Sequence, residues 1–273
     1  MAAGTGVHFD WLPVAWRPGL ALRKGDDGVV VGRFYGSVLS SVYQPLIDIA
    51  GGRRVGREAF VRCRAGGESG LSPWSLFSLV ADDDTLVGLD RLCRTLHVLN
   101  DAQAEDADEA LFLNVHGRLL AAVAEDHGRA FRRVVDALRR PAAGIVIETP
   151  EAACTDLRLL SFVLSNYRLN GFRVAVNVGG LAAVDAVLAE MRPNFVKIDV
   201  RNLRGGEERA AFVARAQAAG VVPVFTRVGD AATRDALRGL DGAWAQGFAV
   251  APLVAPSAPG ACTTPHRLFS AVA

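Results

Sequence analysis

Short apolar runs alternate with longer amphipathic segments along the middle of this 273-residue chain. The runs have the length and composition of buried strands, and most segments between them place apolar residues at helical spacing. This alternation is typical of parallel βαβ units, and eight strands over roughly 220 residues favour a closed (β/α)8 barrel, with a doubly wound open sheet as the alternative. The predicted strands are 42–49, 55–62, 111–115, 144–148, 172–177, 195–199, 221–226 and 243–248, and the predicted helices are 75–100, 118–139, 151–169, 181–191, 206–219 and 231–240.

The first two predicted strands differ from the others because no helix fits between them. Residues 50–52 form a short turn, so strands 42–49 and 55–62 are predicted to pair as an antiparallel hairpin. The barrel is therefore expected to be a variant in which one strand runs against the rest. We expect the second strand, which contains Glu58, to be the reversed one and to present its early residues at the active rim.

Composition excludes several classes of protein. Hydrophobic residues make up 51% of the chain, and 30 basic residues face 29 acidic ones, so the net charge is +1. A disordered chain has lower hydrophobicity and higher net charge. A protein that binds duplex nucleic acid usually carries an excess of basic residues. No apolar run is long enough to span a membrane, and the N-terminus lacks the pattern of a secretory signal. We expect a cytoplasmic protein with an N-terminal extension (1–33), a barrel domain (34–253) and a C-terminal tail (254–273).

Polar residues stand at the ends of most predicted strands. In a (β/α)8 barrel the carboxyl ends of the strands form the active site, so these side chains are expected to converge. Carboxylate and amide oxygens suit Mg²⁺ or Mn²⁺, and a lysine beside them suits a phosphate. The pattern predicts a phosphate-handling site with hard-metal character. Its members are Asn114, Glu148, Asn177, Lys197 with Asp199, Thr226 and Gln246, joined by Glu58 from the second strand.

One of these residues stands out against the composition of the chain. Lys24 and Lys197 are its only lysines, and all other residues in the Lys plus Arg count are arginine. A lysine at 197 therefore indicates a position where arginine would not serve, since the two side chains differ in geometry and hydration. A structural alternative stays open, in which Glu58 and Glu148 pair with a rim arginine such as Arg227 and hold no ligand.

Several ordered motifs resemble a known family. They are Glu58-Ala59-Phe60-Val61-Arg62 within segment 43–64, LNV at Asn114, IETPE at Glu148, FVKID at Lys197 and Asp199, and AQGF at Gln246 and Gly247. In this order and spacing they resemble the EAL domain, the bacterial phosphodiesterase of cyclic di-GMP, over roughly residues 34–253. The resemblance implies an EAL-type TIM-like barrel with an antiparallel first strand.

The chain departs from the family pattern where the resemblance implies metal ligands. Asn177 and Val178 stand where active members carry two aspartates, and Thr226 stands where they carry a late glutamate. A site that holds two divalent ions about 3.5–4 Å apart needs more negative charge than Glu58 and Glu148 supply. The resemblance thus implies a degenerate member without a competent catalytic residue, in which Glu58 and Lys197 are vestigial. The vestigial metal ligands would be Glu58, Asn114, Glu148 and Asn177, with no cofactor required and at most weak binding of Mg²⁺ or Mn²⁺.

Loss of hydrolysis does not imply loss of nucleotide binding. The resemblance implies a nucleotide-binding set of Gln44, Glu58, Phe60, Arg62, Asn114, Lys197 and Gln246. The predicted function is that of a cyclic di-GMP receptor or effector that acts through an unidentified protein partner, with a homodimer possible and no nucleic acid or membrane span involved. The alternatives are a partner-binding adaptor that no longer binds nucleotide and a weak Mg²⁺- or Mn²⁺-dependent phosphodiesterase.

Overall fold

The computed structural model describes residues 21–64, 73–78, 80–101, 109–122 and 128–256. These residues form ten strands and eight α-helices. The strands are β1 (Ala21–Lys24), β2 (Val30–Phe34), β3 (Ser37–Asp48), β4 (Arg54–Arg64), β5 (Ala110–Asn114), β6 (Ile145–Thr149), β7 (Arg173–Val178), β8 (Phe195–Asp199), β9 (Val222–Thr226) and β10 (Trp244–Ala245). The helices are α1 (Pro73–Ser78), α2 (Asp83–Asp101), α3 (Gly117–Ala122), α4 (Arg129–Ala137), α5 (Leu157–Leu169), α6 (Leu181–Glu190), α7 (Gly205–Ala218) and α8 (Ala231–Asp235).

Strands β3 to β10 form the predicted barrel. Neighbouring strands follow the order β3-β10-β9-β8-β7-β6-β5-β4, and the pairing of β3 with β4 closes the ring. Strand β3 is antiparallel to both of its barrel neighbours, β4 and β10. All the other barrel pairs, from β4–β5 round to β9–β10, are parallel. The α/β barrel with an antiparallel first strand is therefore confirmed.

The prediction that the second strand is the reversed one was wrong. Strand β4, which carries Glu58, pairs in parallel with β5, and Glu58 lies opposite Phe112 in that register. The hairpin turn alone leaves open which of its two strands is reversed. The helix α2 in the connection from β4 to β5 decides it, because such a crossover joins parallel strands.

Residues before the barrel extend its sheet. Strands β1 and β2 form an antiparallel hairpin that continues the sheet from β3. The side chain of Asn100 on α2 accepts a hydrogen bond from the Val30 backbone nitrogen at 2.8 Å and donates one to the Val30 carbonyl at 2.9 Å. Strand β2 crosses the boundary that the sequence suggested between residues 33 and 34, while residues 1–20 lie outside the described part of the chain.

Two predicted helices are divided in the structure. The prediction 75–100 corresponds to α1 and α2, because Asp82 caps a new helix by accepting a hydrogen bond from the Thr85 backbone nitrogen at 2.8 Å. The prediction 118–139 corresponds to α3 and α4, with 123–127 outside the described residues. Within the described residues, no helix has the length and apolar character needed to cross a bilayer.

The predicted C-terminal boundary of the barrel domain, between residues 253 and 254, lies beside a barrel strand. Val254 forms a bridge with Tyr43 of β3, in which each backbone nitrogen donates to the other residue's carbonyl at 2.8 and 2.7 Å. Residues 257–273 of the predicted tail lie outside the described residues.

Candidate functional site

An apolar layer closes one end of the barrel interior, and a polar layer lies directly on it. The apolar side chains are Leu46, Ala110, Phe112, Val146, Ala175, Phe195 and Val224. Because alternate residues of a strand face the same side, the residue two positions further toward the mouth also points inward. The positions reached in this way are Gln44 on reversed β3, and Asn114, Glu148, Asn177, Lys197 and Thr226 on the parallel strands.

Lys197 is the centre of the polar layer. Its side chain is 0% exposed, and its ammonium donates to Glu58 Oε2 at 2.7 Å and to Glu148 Oε2 at 2.6 Å. The ammonium also lies 5.1 Å from the centre of the Phe112 ring in the apolar layer. One cation is thus shared by two buried carboxylates, so one negative charge is not offset when both are ionised.

Three amide side chains donate further hydrogen bonds to the two carboxylates. Asn114 Nδ2 donates to Glu58 Oε1 at 2.7 Å, and Gln246 Nε2 donates to Glu58 Oε2 at 2.9 Å. Asn177 Nδ2 donates to Glu148 Oε1 at 2.8 Å and to the Thr149 carbonyl at 2.9 Å. All four carboxylate oxygens of the two glutamates therefore accept hydrogen bonds from side chains of the protein.

Burial and charge shift the proton affinities of this cluster. Burial raises the pKa of Glu148, and the nearby Glu58 carboxylate raises it further, whereas Lys197 and Asn177 lower it. Burial disfavours the charged form of Lys197, but the two glutamates outweigh burial and raise the pKa of the ammonium. The main causes therefore differ, because burial dominates for Glu148 whereas the two carboxylates dominate for Lys197.

The donor set does not fit a pair of divalent ions. The described residues contain no group of three His, Cys, Asp or Glu side chains placed to hold a metal. Asn114 and Asn177 turn their NH₂ groups, rather than their oxygens, toward the carboxylates, as the hydrogen bonds assign them. The Lys197 ammonium already offsets one of the two negative charges of Glu58 and Glu148. A divalent cation in contact with both carboxylates would have to displace these donors and lie beside that ammonium.

Asn177, Val178 and Thr226, which stand where the family pattern has carboxylates, lie in different environments. Asn177 faces the mouth, and Thr226 lies on the mouth-facing side of β9, where its hydroxyl donates to the Ile198 carbonyl at 3.1 Å. Val178 is 1% exposed and belongs to the core between the barrel and its helices. Its side chain therefore points away from the site.

Above the polar layer the mouth becomes more open. Glu58, Phe60 and Arg62 lie on the same face of β4, and Phe60 and Arg62 are half-buried where Glu58 is buried. Gln44 of β3 is the register partner of Glu58, so it belongs to the same face. The Arg62 guanidinium donates to the Val61 carbonyl at 3.2 Å.

A second charged group lies on the loops after β8 and β9. Arg201 Nη2 donates to Asp199 Oδ2 at 2.6 Å, and its Nε donates to Asp199 Oδ1 at 2.9 Å. Arg227 Nε is 3.6 Å from Asp199 Oδ2. Hydrogen bonds from Arg201 hold the pKa of Asp199 below its usual range.

Six of the residues singled out in the sequence form one hydrogen-bonded network: Glu58, Asn114, Glu148, Asn177, Lys197 and Gln246. Three others, Gln44, Phe60 and Arg62, line the same mouth. The alternative in which Glu58 and Glu148 pair with Arg227 was wrong, because the partner of both is Lys197 and Arg227 pairs with Asp199.

Two residues at the rim of the barrel mouth were not predicted from the sequence. Arg201 follows Asp199 by two positions, and Phe248, which is 71% exposed, follows Gln246 by two. Their only signal in the sequence is this closeness to polar strand ends. Strand periodicity does not extend into the loops, so it could not orient either side chain.

Comparison with known proteins agrees with this architecture. The family model of the EAL domain matches residues 36–253. The EAL enzyme Bd1971, in a form with cAMP and cyclic di-GMP bound, has a TM-score of 0.66 and 17% identity over 80% of this chain and 62% of its own. The EAL domain of Xanthomonas citri FimX, in complex with cyclic di-GMP, has a TM-score of 0.64 and 22% identity over 80% of this chain and 88% of its own.

A third solved structure is similar to the same part of the chain. The YkuI protein of Bacillus subtilis, which has an EAL domain and is in complex with cyclic di-GMP and calcium, has a TM-score of 0.65 and 21% identity over 80% of this chain and 56% of its own. This chain therefore spans less than two thirds of the length of Bd1971 and of YkuI. At these identities the likeness shows a shared fold. Among curated proteins, no sequence matches.

Proposed function

This chain belongs to the EAL domain family, and from that premise we propose that it is a degenerate member that binds cyclic di-GMP without divalent metal and does not hydrolyse it. Bound nucleotide would then signal to a protein partner. The observation that carries the proposal is that Glu58 and Glu148 share one ammonium at 2.7 and 2.6 Å, while an amide and a hydroxyl stand at Asn177 and Thr226 in place of carboxylates.

The charge of the polar layer is the physical basis for the expected loss of hydrolysis. A two-metal phosphodiesterase places two divalent ions about 3.5–4 Å apart and relies on surrounding carboxylates to offset their repulsion. Here two glutamates face one buried ammonium. Without bound metal, water at neutral pH is not converted into a strong nucleophile. Hydrolysis is therefore expected to be absent or very slow.

The mouth retains groups that can hold a nucleotide by other means. Arg62 is half-buried on β4 and offers a guanidinium to a phosphate or a guanine edge. Phe60 is half-buried on the same strand face and offers an apolar ring surface. Solved relatives of the same fold carry cyclic di-GMP. Together these support a receptor that keeps the ligand of the family and lacks its reaction.

Calorimetric titration with cyclic di-GMP tests the proposal. We expect the same affinity in the presence of Mn²⁺ and in the presence of EDTA, because no ion would take part in binding. The absence of heat up to high micromolar nucleotide would remove the receptor function. Chromatography after incubation with Mg²⁺ or Mn²⁺ tests the expected loss of hydrolysis. Linear dinucleotide formed at an ordinary enzymatic rate would overturn that expectation.

Arg62→Ala is expected to weaken binding of cyclic di-GMP about tenfold, or about 1.4 kcal/mol, because a charge-assisted hydrogen bond to the ligand is lost. The affinity is measured by the same titration. Arg33→Ala is a matched control, since Arg33 is exposed on β2 outside the barrel ring. Equal affinities of the two variants would remove Arg62 from the binding set.

A specific observation favours one other candidate function, an adaptor that no longer binds nucleotide. Helix α5 exposes Phe162 and Leu169, which are 55% and 86% exposed and lie seven residues apart on one helix face. Exposed apolar side chains of this size occur at protein interfaces. The titration separates the two functions, because an adaptor of this kind would give no heat with cyclic di-GMP.

A further inference from the structure

We propose that Arg227 is a ligand-binding residue of this chain that contacts a phosphate of the dinucleotide and supplies positive charge where a metal-dependent relative would use an ion. The inference rests on the proposed function, since it names how cyclic di-GMP is held without metal. It is carried by the position, the backbone and the charge surroundings of Arg227.

The position of Arg227 follows from strand geometry. Asp199 lies two residues beyond Lys197 on β8, so both side chains belong to the face that points into the barrel. Asp199 is the register partner of Thr226, and Arg227 comes next in the chain. The Nε of Arg227 is 3.6 Å from Asp199 Oδ2. This contact places the guanidinium on the mouth side of the polar layer.

The backbone holds Arg227 in a conformation that arginine rarely adopts. Its φ is 57°, in the left-handed region that is unfavourable for residues with a Cβ atom. Backbone hydrogen bonds fix the residue that follows Arg227. Val228 N donates to the Gln246 carbonyl at 3.1 Å, and Ala249 N donates to the Val228 carbonyl at 3.0 Å. Strain of this kind persists where surrounding contacts impose it and is often found at binding sites.

The loop of Gln246 packs closely on the loop that carries Arg227. A Cβ atom on Gly247 would lie 2.2 Å from the Val228 carbonyl oxygen, so only glycine allows this approach. Gln246 itself donates to Glu58 in the polar layer. The backbone next to Arg227 is thereby linked to the residues that form the floor of the mouth.

The guanidinium of Arg227 makes fewer contacts with Asp199 than that of Arg201 does. Arg201 binds both oxygens of Asp199 at 2.6 and 2.9 Å and so offsets its charge. Arg227 is 70% exposed, and its Nε lies 3.6 Å from Asp199 Oδ2. Among the described residues, its two terminal nitrogens have no hydrogen-bond partner. They form the planar fork that binds a phosphate through two parallel hydrogen bonds.

Arg227→Asn tests the proposal without disturbing the fold, because asparagine tolerates the left-handed region better than arginine. Arg139→Asn is the matched control. Arg139 is also exposed and left-handed, with φ 54°, but it lies between α4 and β6, at the opposite end of the barrel. Each variant and the unmodified chain are titrated with cyclic di-GMP in EDTA, at low and at high salt.

We expect Arg227→Asn to lose affinity about tenfold and Arg139→Asn to retain that of the unmodified chain. The affinity of Arg227→Asn should also fall less steeply with salt, because one screened charge contact is missing. If the unmodified chain binds and the two variants match it in affinity and salt dependence, this inference fails and the proposed function stands. If the unmodified chain does not bind cyclic di-GMP, the proposed function fails and the role of Arg227 fails with it.

Discussion

Replacing Lys197 by methionine is expected to lower the free energy of unfolding by about 3–5 kcal/mol, because removal of one partner from a buried ion pair leaves uncompensated charge. The ammonium is 0% exposed and donates to Glu58 and Glu148. Without it, the two carboxylates repel each other in a region from which water is excluded. Denaturation in urea, followed by circular dichroism, measures the loss.

The loss is expected to depend on pH in a defined direction. The pKa of Glu148 is raised in the folded chain, mainly by burial. A carboxyl group with a raised folded-state pKa favours the folded state at low pH, and this contribution disappears as the pH rises through that pKa. Loss of Lys197 raises the pKa of Glu148 further. The difference between Lys197→Met and the unmodified chain should thus be largest in alkaline solution and shrink in acid, where Glu148 is protonated.

Two further variants control this experiment. Lys24→Met changes the other lysine, which is half-buried on β1, and should leave stability almost unchanged. Adding Glu58→Gln and Glu148→Gln to Lys197→Met removes both unpaired carboxylates and should recover most of the loss. Unfolding of Lys197→Met at the same urea concentration as the unmodified chain would disprove the shared ammonium.

Replacing Val178 by aspartate is expected to destabilise the fold by about 3–5 kcal/mol, because it removes a packed apolar side chain and buries a carboxylate without a partner. Val178 is 1% exposed and lies in the core outside the barrel ring. The family pattern has an aspartate at this point of the sequence, so this variant restores the pattern and yet should not restore a metal site. Urea denaturation and thermal melting with and without Mn²⁺ measure both effects.

Asn177→Asp is the control on the same strand. Asn177 is half-buried and faces Glu148 across a hydrogen bond of 2.8 Å, so a carboxylate there stays in contact with the open mouth. Its effect on stability should be smaller than that of Val178→Asp. If Val178→Asp were as stable as the unmodified chain and melted at a higher temperature in Mn²⁺, the inward position of residue 178 would have to be accepted.

Local patterns in the sequence predicted much of the barrel. On five of the parallel strands, an inward-facing polar residue follows an inward-facing apolar residue by two positions, as Lys197 follows Phe195 and Glu148 follows Val146. That alternation is visible without a structure, so the convergence of the network at one rim was predictable. The division of α1 from α2 was missed because the cap at Asp82 interrupts a helical pattern without a glycine or proline. The hairpin of β1 and β2 was missed because its short strands lack a clear period.

Other features depended on contacts that no local pattern records. The direction of β4 depends on the crossover through α2, and the inward position of Asn177 but not of Val178 depends on how β7 lies in the ring. The pairing of Arg227 with Asp199 joins two loops whose conformation has no periodicity. In each case, contact with a neighbouring element set the direction of the strand or side chain, and the local sequence did not.

The amino-acid sequence by itself determined the number of barrel strands, the hairpin that reverses one of them and the residue types at the mouth, because alternation and turn chemistry act over a few residues. Only the tertiary structure decided that one ammonium joins two glutamates. Lys197 is 139 residues from Glu58 and 49 from Glu148 in the chain. Contact between these three side chains depends on closure of the barrel. Closure brings their strands together and buries the charges of Lys197, Glu58 and Glu148 away from water.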